Sequence, residues 1–379
     1  MKNDLLEYYK EHSISPVKQD IKDFEVHMER RKKLYRQLGV PILAFQDAEI
    51  LEVGTGGGYN TLAFFKWNVK HADLVEANPQ GIDDMKILFK KYEVPNNKFS
   101  IFQSNIENFQ TNKRYDIIIA EGFLPNMYNQ REVIRQLQDL LVSGGIVVIT
   151  CIDNVSMFIE AMKRLVGIWL SRDIKEYNDK VEYLARVFEP QLHRMKGVSR
   201  SAKEWVQDQI LNPAGINGTE LSLVQAIEYF GEKFDILGSS PQMFTDYSWY
   251  KDIWYDYKKD YKAQFAEKRL SLLQANTPEV ILPIEQADKL VSHFVNIKHL
   301  AAEYEKTLEM DNIEKIIDEM LIMKEMASQY LSDSFMNVFR EIMDIVGNIR
   351  RNKGVIMEEY PLFFEAFGRA QQYIAFVKK

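Results

Sequence analysis

The segment AEILEVGTGGGY (48–59) decides how this chain is read. An apolar run, Ala48 to Val53, stops at glycines, and TLAFFKW (61–67) follows at helical spacing. Strand, glycine turn and helix in that order place the turn at the carboxyl edge of an α/β sheet, where such folds bind nucleotide-like ligands. Glycine lets the backbone turn sharply and come close to a ligand. The spacing narrows the choice. A dinucleotide fingerprint, G-x-G-x-x-G, needs its third glycine where Tyr59 stands; here the glycines alternate at Gly54, Gly56 and Gly58. No Gly-Lys-Ser/Thr follows, so the loop is not that of a nucleoside-triphosphatase.

Outward from this turn the alternation continues. ADLVEA (72–77), FSIFQ (99–103), YDIIIA (115–120) and GGIVVIT (144–150) read as strands. Met85–Tyr92 and Val133–Leu141 read as helices between them. Five strands separated by helices predict a doubly wound, mostly parallel sheet. KFDIL (233–237) reads as a sixth strand. The β-branched and aromatic run 372–377 is expected to be a seventh strand in preference to a terminal helix. The expected organisation is an N-terminal helical lid (1–46), a Rossmann-like core (47–151) completed by strands near 233–238 and 372–377, a helical insertion (152–231) and a helical bundle or cap (241–369). In the bundle, Ala287, Leu290, Phe294, Ile297, Ala301 and Tyr304 step by three and four, as do Phe335, Phe339, Ile342, Val346 and Ile349. Asn312 is expected to cap a helix over Ile313–Met326.

Glu52 stands two residues before the first glycine, and Glu76 ends the second strand. A carboxylate near a pyrophosphate is repulsive; near an α-ammonium it is favourable. A carboxylate at the end of strand two can accept both hydroxyls of a ribose. Together these residues resemble motif I and the acidic strand end of class I S-adenosylmethionine (SAM) dependent methyltransferases, and Leu141-Val142-Ser143-Gly144-Gly145 is similar to that family's L-x-x-G-G turn. The resemblance covers about residues 45–151. It implies a class I, seven-stranded α/β fold with large helical insertions, and SAM as cofactor. The cofactor-binding set it implies is Glu52, Gly54, Thr55, Gly56, Gly58, Glu76, Ala77, Asn105, Ile106 and Glu121. Within that set, Asn105 and Ile106 meet the adenine. The tail segments resemble those of bacterial methyltransferase-like proteins of unassigned substrate.

Composition sets outer limits. The chain has 379 residues, 46% hydrophobic and 27% charged, enough for two structural units. A net charge of -7 disfavours nucleic acid as partner, which needs a broad basic surface. So does EGFLPN (121–126), which departs from the D/N-P-P-Y/F segment of base N-methylating enzymes. The single cysteine, Cys151, reads as a small buried residue. MKNDLLEYYK lacks the apolar core of a signal peptide, and no apolar run approaches the ~20 residues of a membrane span. The expectation is a soluble, cytoplasmic protein.

The catalytic and substrate assignments are less constrained. Glu121 and His193 are the candidate acid–base groups. Tyr59, Arg194 and Trp249 are candidate substrate contacts; Arg194 lies in a basic stretch suited to an anionic acceptor, and Trp249 in an aromatic cluster with Tyr247, Tyr250, Trp254, Tyr255 and Tyr257. Asp153-Asn154 reads as a helix cap in preference to a metal site, for which Glu121, Asp153 and Asn154 would be the ligands. The basic run within Asp20–Leu38 reads as a solvated face, with a lid over the cofactor as the alternative. Three functions compete: a methyltransferase for a small-molecule acceptor, oxygen favoured over nitrogen; a non-catalytic SAM-binding scaffold, for which the bundle permits a homo-oligomer; and an NAD-dependent oxidoreductase, disfavoured by Tyr59.

Overall fold

The computed structural model describes residues 4–14, 19, 21–194, 200–213, 220–244, 257–275 and 277–379. These fall into two compact units: 1–152 with 218–261 and 371–379, and 153–217 with 262–370.

The first unit is built on a seven-stranded sheet: β1 (Glu49–Val53), β2 (His71–Glu76), β3 (Phe99–Gln103), β4 (Tyr115–Ala120), β5 (Leu141–Cys151), β6 (Phe234–Ser240) and β7 (Gln372–Lys378). Their order is β3-β2-β1-β4-β5-β7-β6. β1 to β5 run parallel, and β7 is antiparallel to both β5 and β6, with Val148 opposite Ala375 and Ser239 opposite Ile374. The chain builds outward from β1 to β3, then returns to lay β4 on the other side of β1. That reversal opens a crevice at the carboxyl ends of β1 and β4.

Local chemistry fixes the flanking helices. The flanking helices are α1 (Asp4–Glu11), α2 (Phe24–Gln37), α3 (Thr61–Lys66), α4 (Pro79–Lys91) and α5 (Gln130–Leu140), and side chains cap α2 and α4. Asn78 caps α4 by accepting from the Gln80 amide, with Pro79 behind it and Lys90 and Lys91 in the last turn. Asp23 caps α2 through the Val26 amide. In α5, Val133, Ile134, Leu137 and Leu140 form the buried face. Behind β1 an aromatic nest of Tyr35, Phe45, Phe64 and Trp67 closes the core, Phe45 stacking on Phe64 at 5.4 Å. Cys151 is buried in β5.

The helical unit is formed jointly by both interrupting segments, so 153–217 and 262–370 share one core, and the helix Leu223–Phe230 belongs to the sheet unit instead. Every residue of the two apolar stripes is buried there. Phe158 meets Phe294 edge-on at 4.7 Å, and Phe335 stacks on Phe339. Asn312 does not cap its helix. That helix starts earlier, at Met310, because Leu308 turns left-handed (φ +55°) after the preceding helix; Asn312 instead bonds the Thr307 hydroxyl. Among the described residues, no helix is long and apolar enough to cross a membrane.

Candidate functional site

The crevice at the reversal holds a cleft of about 740 Å³, its open mouth included. Its wall is the set of residues that follow β1, β2, β3 and β4: Gly54; Glu76, Ala77 and Asn78; Asn105 and Ile106; Glu121 to Phe123. Leu6 and Tyr9 of α1 also line it, so the N-terminal segment contributes to the cleft.

The glycine turn is shaped for close approach. Gly54, Gly56 and Gly58 all have positive φ (72°, 54° and 76°). A Cβ on Gly54 would sit 2.7 Å from the Phe123 ring, and one on Gly58 would strike Met85 at 2.7 Å and Phe89 at 2.9 Å. The first and third glycines are therefore required twice, by conformation and by space. Between them the Thr55 hydroxyl is enclosed, with no hydrogen-bond partner among the described residues.

Glu76 braces this turn. Its Oε2 accepts from the Gly56 amide at 2.6 Å and its Oε1 from the Asn78 amide at 2.7 Å. Burial pushes this carboxyl above its ordinary range, and the two amides pull it back. A carboxylate offers about four acceptor positions, so these amides, with the Ala77 amide that also draws on it, leave room for a further donor. Glu52 lies behind the cleft wall: its carboxyl is pushed up to about 8 by burial and accepts from the Thr61 hydroxyl at 2.6 Å.

Glu121, at the end of β4, is held by α2. Arg31 grips it with two bonds, 2.6 and 3.0 Å, and Tyr35 Oη (3.1 Å) and Asn60 Nδ2 (3.3 Å) add two more. Burial alone would lower the Arg31 guanidinium, but Glu121 outweighs it and holds it above its ordinary value. One turn before, His27 Nε2 donates to the Tyr59 carbonyl at 3.0 Å; burial lowers this imidazole from its ordinary value, and the Tyr59 bond opposes that. The stretch read as a solvated face thus presents His27, Arg31 and Tyr35 inward. Their spacing of four was the signal available; the surrounding run of basic residues concealed it.

The structure brings Gly54, Glu76, Ala77, Asn105, Ile106 and Glu121 to the cleft, with Thr55, Gly56, Gly58 and Glu52 behind its wall. Tyr59 is half-buried beside the glycine turn. Other candidates lie in the helical unit. His193 is exposed and faces Glu189 at 3.5 Å, and Arg194 pairs with Glu365 at 2.7 Å. Asp153 receives Arg269 and the Val155 amide, and Asn154 receives Lys298, which is cap and ion-pair chemistry. Among the described residues, no three His, Cys, Asp or Glu side chains gather to hold a metal. Trp249 and its aromatic neighbours at 247–255 lie outside the described residues; Tyr257 opens the helix Tyr257–Lys268.

Comparison with known proteins points the same way. Residues 27–206 match the model of a methyltransferase domain family. A ubiquinone biosynthesis O-methyltransferase of Rickettsia bellii is 28% identical over 139 residues, 35% of this chain and 55% of that protein. One of Rickettsia canadensis is 32% identical over 108 residues, 28% of this chain and 43% of that protein. The chain thus spans about half the length of the curated relatives it matches. Among solved structures, the N-methyltransferase NodS of Bradyrhizobium japonicum with S-adenosyl-L-homocysteine is 20% identical (40% of this chain, 75% of that one, TM-score 0.32). PKMT2 of Rickettsia typhi with AdoHcy is 18% identical (59% and 46%, TM-score 0.42).

Proposed function

Residues 27–206 carry a class I SAM-dependent methyltransferase domain, and from that premise we propose that the protein transfers a methyl group from SAM to a small-molecule acceptor, on oxygen in preference to nitrogen. The observation that carries the reading is the brace of Glu76 on the Gly56 amide, which puts a carboxylate with open acceptor positions at the turn where a ribose would lie. The positive φ of Gly54, Gly56 and Gly58, which folds the turn tightly against the end of β1, fits the same ligand. In this reading Glu76 takes the ribose hydroxyls, Asn105 and Ile106 the adenine, and the Gly54–Gly58 turn with Glu121 the methionyl end. The printed activity of the Rickettsia relatives favours oxygen.

SAM supplies an already activated methyl group for in-line displacement. The chain's part is to align acceptor and cofactor and to exclude water. Leu6, Tyr9, Phe123 and Met127 make the cleft wall largely apolar, which serves exclusion.

The test is a calorimetric titration of the full chain with SAM, S-adenosylhomocysteine and NAD, followed by incubation of methyl-labelled SAM with a size-fractionated extract. Binding of the first two and label on oxygen in the small-molecule fraction is expected. Binding without label in any fraction supports the scaffold reading. Absence of SAM binding overturns both.

A further inference from the structure

We propose that Gln371 receives the acceptor: its side-chain amide binds the hydroxyl to be methylated over Gly122, and the acceptor that fits carries no negative charge. The inference rests on the SAM reading and names the acceptor side of the same cleft.

Three observations carry it. The first is place. The residues assigned to the cofactor follow β3, β2, β1 and β4, in that order across the sheet. Next along the same edge come β5 and β7. Ala120 of β4 pairs with Ile149 of β5, and Cys151 of β5 with Gln372 of β7. Because β7 is antiparallel, its start lies at the carboxyl edge, and Gln371 is the residue before it. Gln371 and Gly122 both belong to the sheet unit. The Gln371 side chain reaches back across β5: a Cβ on Gly122 would lie 3.9 Å from its Nε2.

The second is room. Gly122 lines the cleft with φ at +85°. Its amide donates to the buried Thr150 hydroxyl at 2.7 Å, which fixes the turn. Chain neighbours aside, Gln371 Nε2 is the one atom among the described residues within 4 Å of where that Cβ would be. The space over Gly122 is therefore open, and Phe123 and Met127 give the same cleft an apolar wall. Gln371 is exposed, and its amide has no hydrogen-bond partner among the described residues. It keeps both a carbonyl acceptor and two N–H donors for a ligand.

The third is charge. The charged side chains that line the cleft are Glu76, Glu107 and Glu121, and among the described residues no lysine, arginine or histidine lines it. An anionic acceptor is repelled there. An uncharged hydroxyl is not, and Gln371 offers it a neutral partner. With the O–H donated to Gln371 Oε1, a lone pair of the oxygen is free to face the methyl group. As the carbon–oxygen bond forms and the carbon–sulfur bond breaks, the electron pair stays on sulfur. The oxygen gains positive charge, its bond to Oε1 strengthens, and the proton passes to water at the open mouth of the cleft.

The experiment measures transfer from methyl-labelled SAM by the full chain to two phenols of similar shape: 4-ethylphenol, which is neutral, and 4-hydroxyphenylacetate, which is anionic. The wild type should use 4-ethylphenol with at least about tenfold higher kcat/KM. Gln371→Leu should lower kcat/KM for 4-ethylphenol about tenfold, the worth of one hydrogen bond, and leave the affinity for S-adenosylhomocysteine, read by calorimetry, within about twofold. Gln371→Arg should reverse the preference by raising kcat/KM for the anion. A wild type that binds S-adenosylhomocysteine but prefers the anion, or labels neither phenol, overturns the proposal. So does a Gln371→Leu variant that keeps full kcat/KM, or that loses S-adenosylhomocysteine affinity as much as it loses transfer. A wild type that does not bind S-adenosylhomocysteine overturns the SAM reading itself.

Discussion

In the helical unit, Lys163 is 1% exposed and donates to two main-chain carbonyls, Phe364 and Ala366; in the sheet unit, Glu76 is 6% exposed and accepts from two main-chain amides, Gly56 and Asn78. The two burials look alike and differ in what is left over. The third face of the Lys163 ammonium lies over the Phe367 ring at 3.2 Å, and Glu160, four residues before Arg164, takes the Gly368 amide. Arg164 is likewise satisfied by Glu305 and the Asn212 carbonyl. Charge there ties segments of one core together. Glu76 instead keeps acceptor capacity on the wall of a cleft. Burial of charge marks a binding site only where valence remains open.

The largest expected effect tests the closed side of this comparison. Lys163→Met leaves Glu160 buried without its cation and should destabilise the fold by about 3–5 kcal/mol in urea denaturation, with SAM affinity unchanged in the folded protein. Adding Glu160→Gln should restore part of that loss. The open side predicts the reverse. Glu76→Ala should reduce SAM affinity about 100-fold by calorimetry, since it removes a charged acceptor for two hydroxyls, and should lower the melting temperature by only a few degrees. If Lys163→Met abolished binding in a folded protein, or Glu76→Ala left it intact, the distinction between the two kinds of buried charge would not hold.

The same distinction explains what the sequence could convey. The β1 turn was legible because its glycines answer to local conformation, and Glu76 because a strand end has a fixed place in such a sheet. The strands at 234–240 and 372–378 were legible through β-branched and aromatic content. Arg31 was not, since Arg30, Arg31, Lys32 and Lys33 are alike in composition and only the partner 90 residues later singles one out. The start of the Met310 helix was missed because a left-handed Leu308 is not a residue type that advertises a turn. That two separated segments share one core is a long-range fact that no local period reports. Lys163 stood on an apolar helix, where its two carbonyl acceptors, some 200 residues later, could not be foreseen.

Glu52 falls between the two classes, and its expected effect appears only as pH is changed. It is buried in the sheet unit, does not line the cleft, and accepts from the Thr61 hydroxyl. With its carboxyl pushed up to about 8 by burial, the folded chain holds a proton that the unfolded chain has already released above about 4.5. Its contribution to stability is therefore complete at acid pH and declines as pH rises through that interval, levelling off above about 8. Glu52→Gln removes the titration. Melting curves without ligand, taken from about pH 5 to about pH 9, should show the wild type losing about 4 kcal/mol relative to the variant across that range, with parallel behaviour above it. Parallel curves throughout would mean that Glu52 is ionised at every pH, and would move it from the closed class to the open one, beside Glu76.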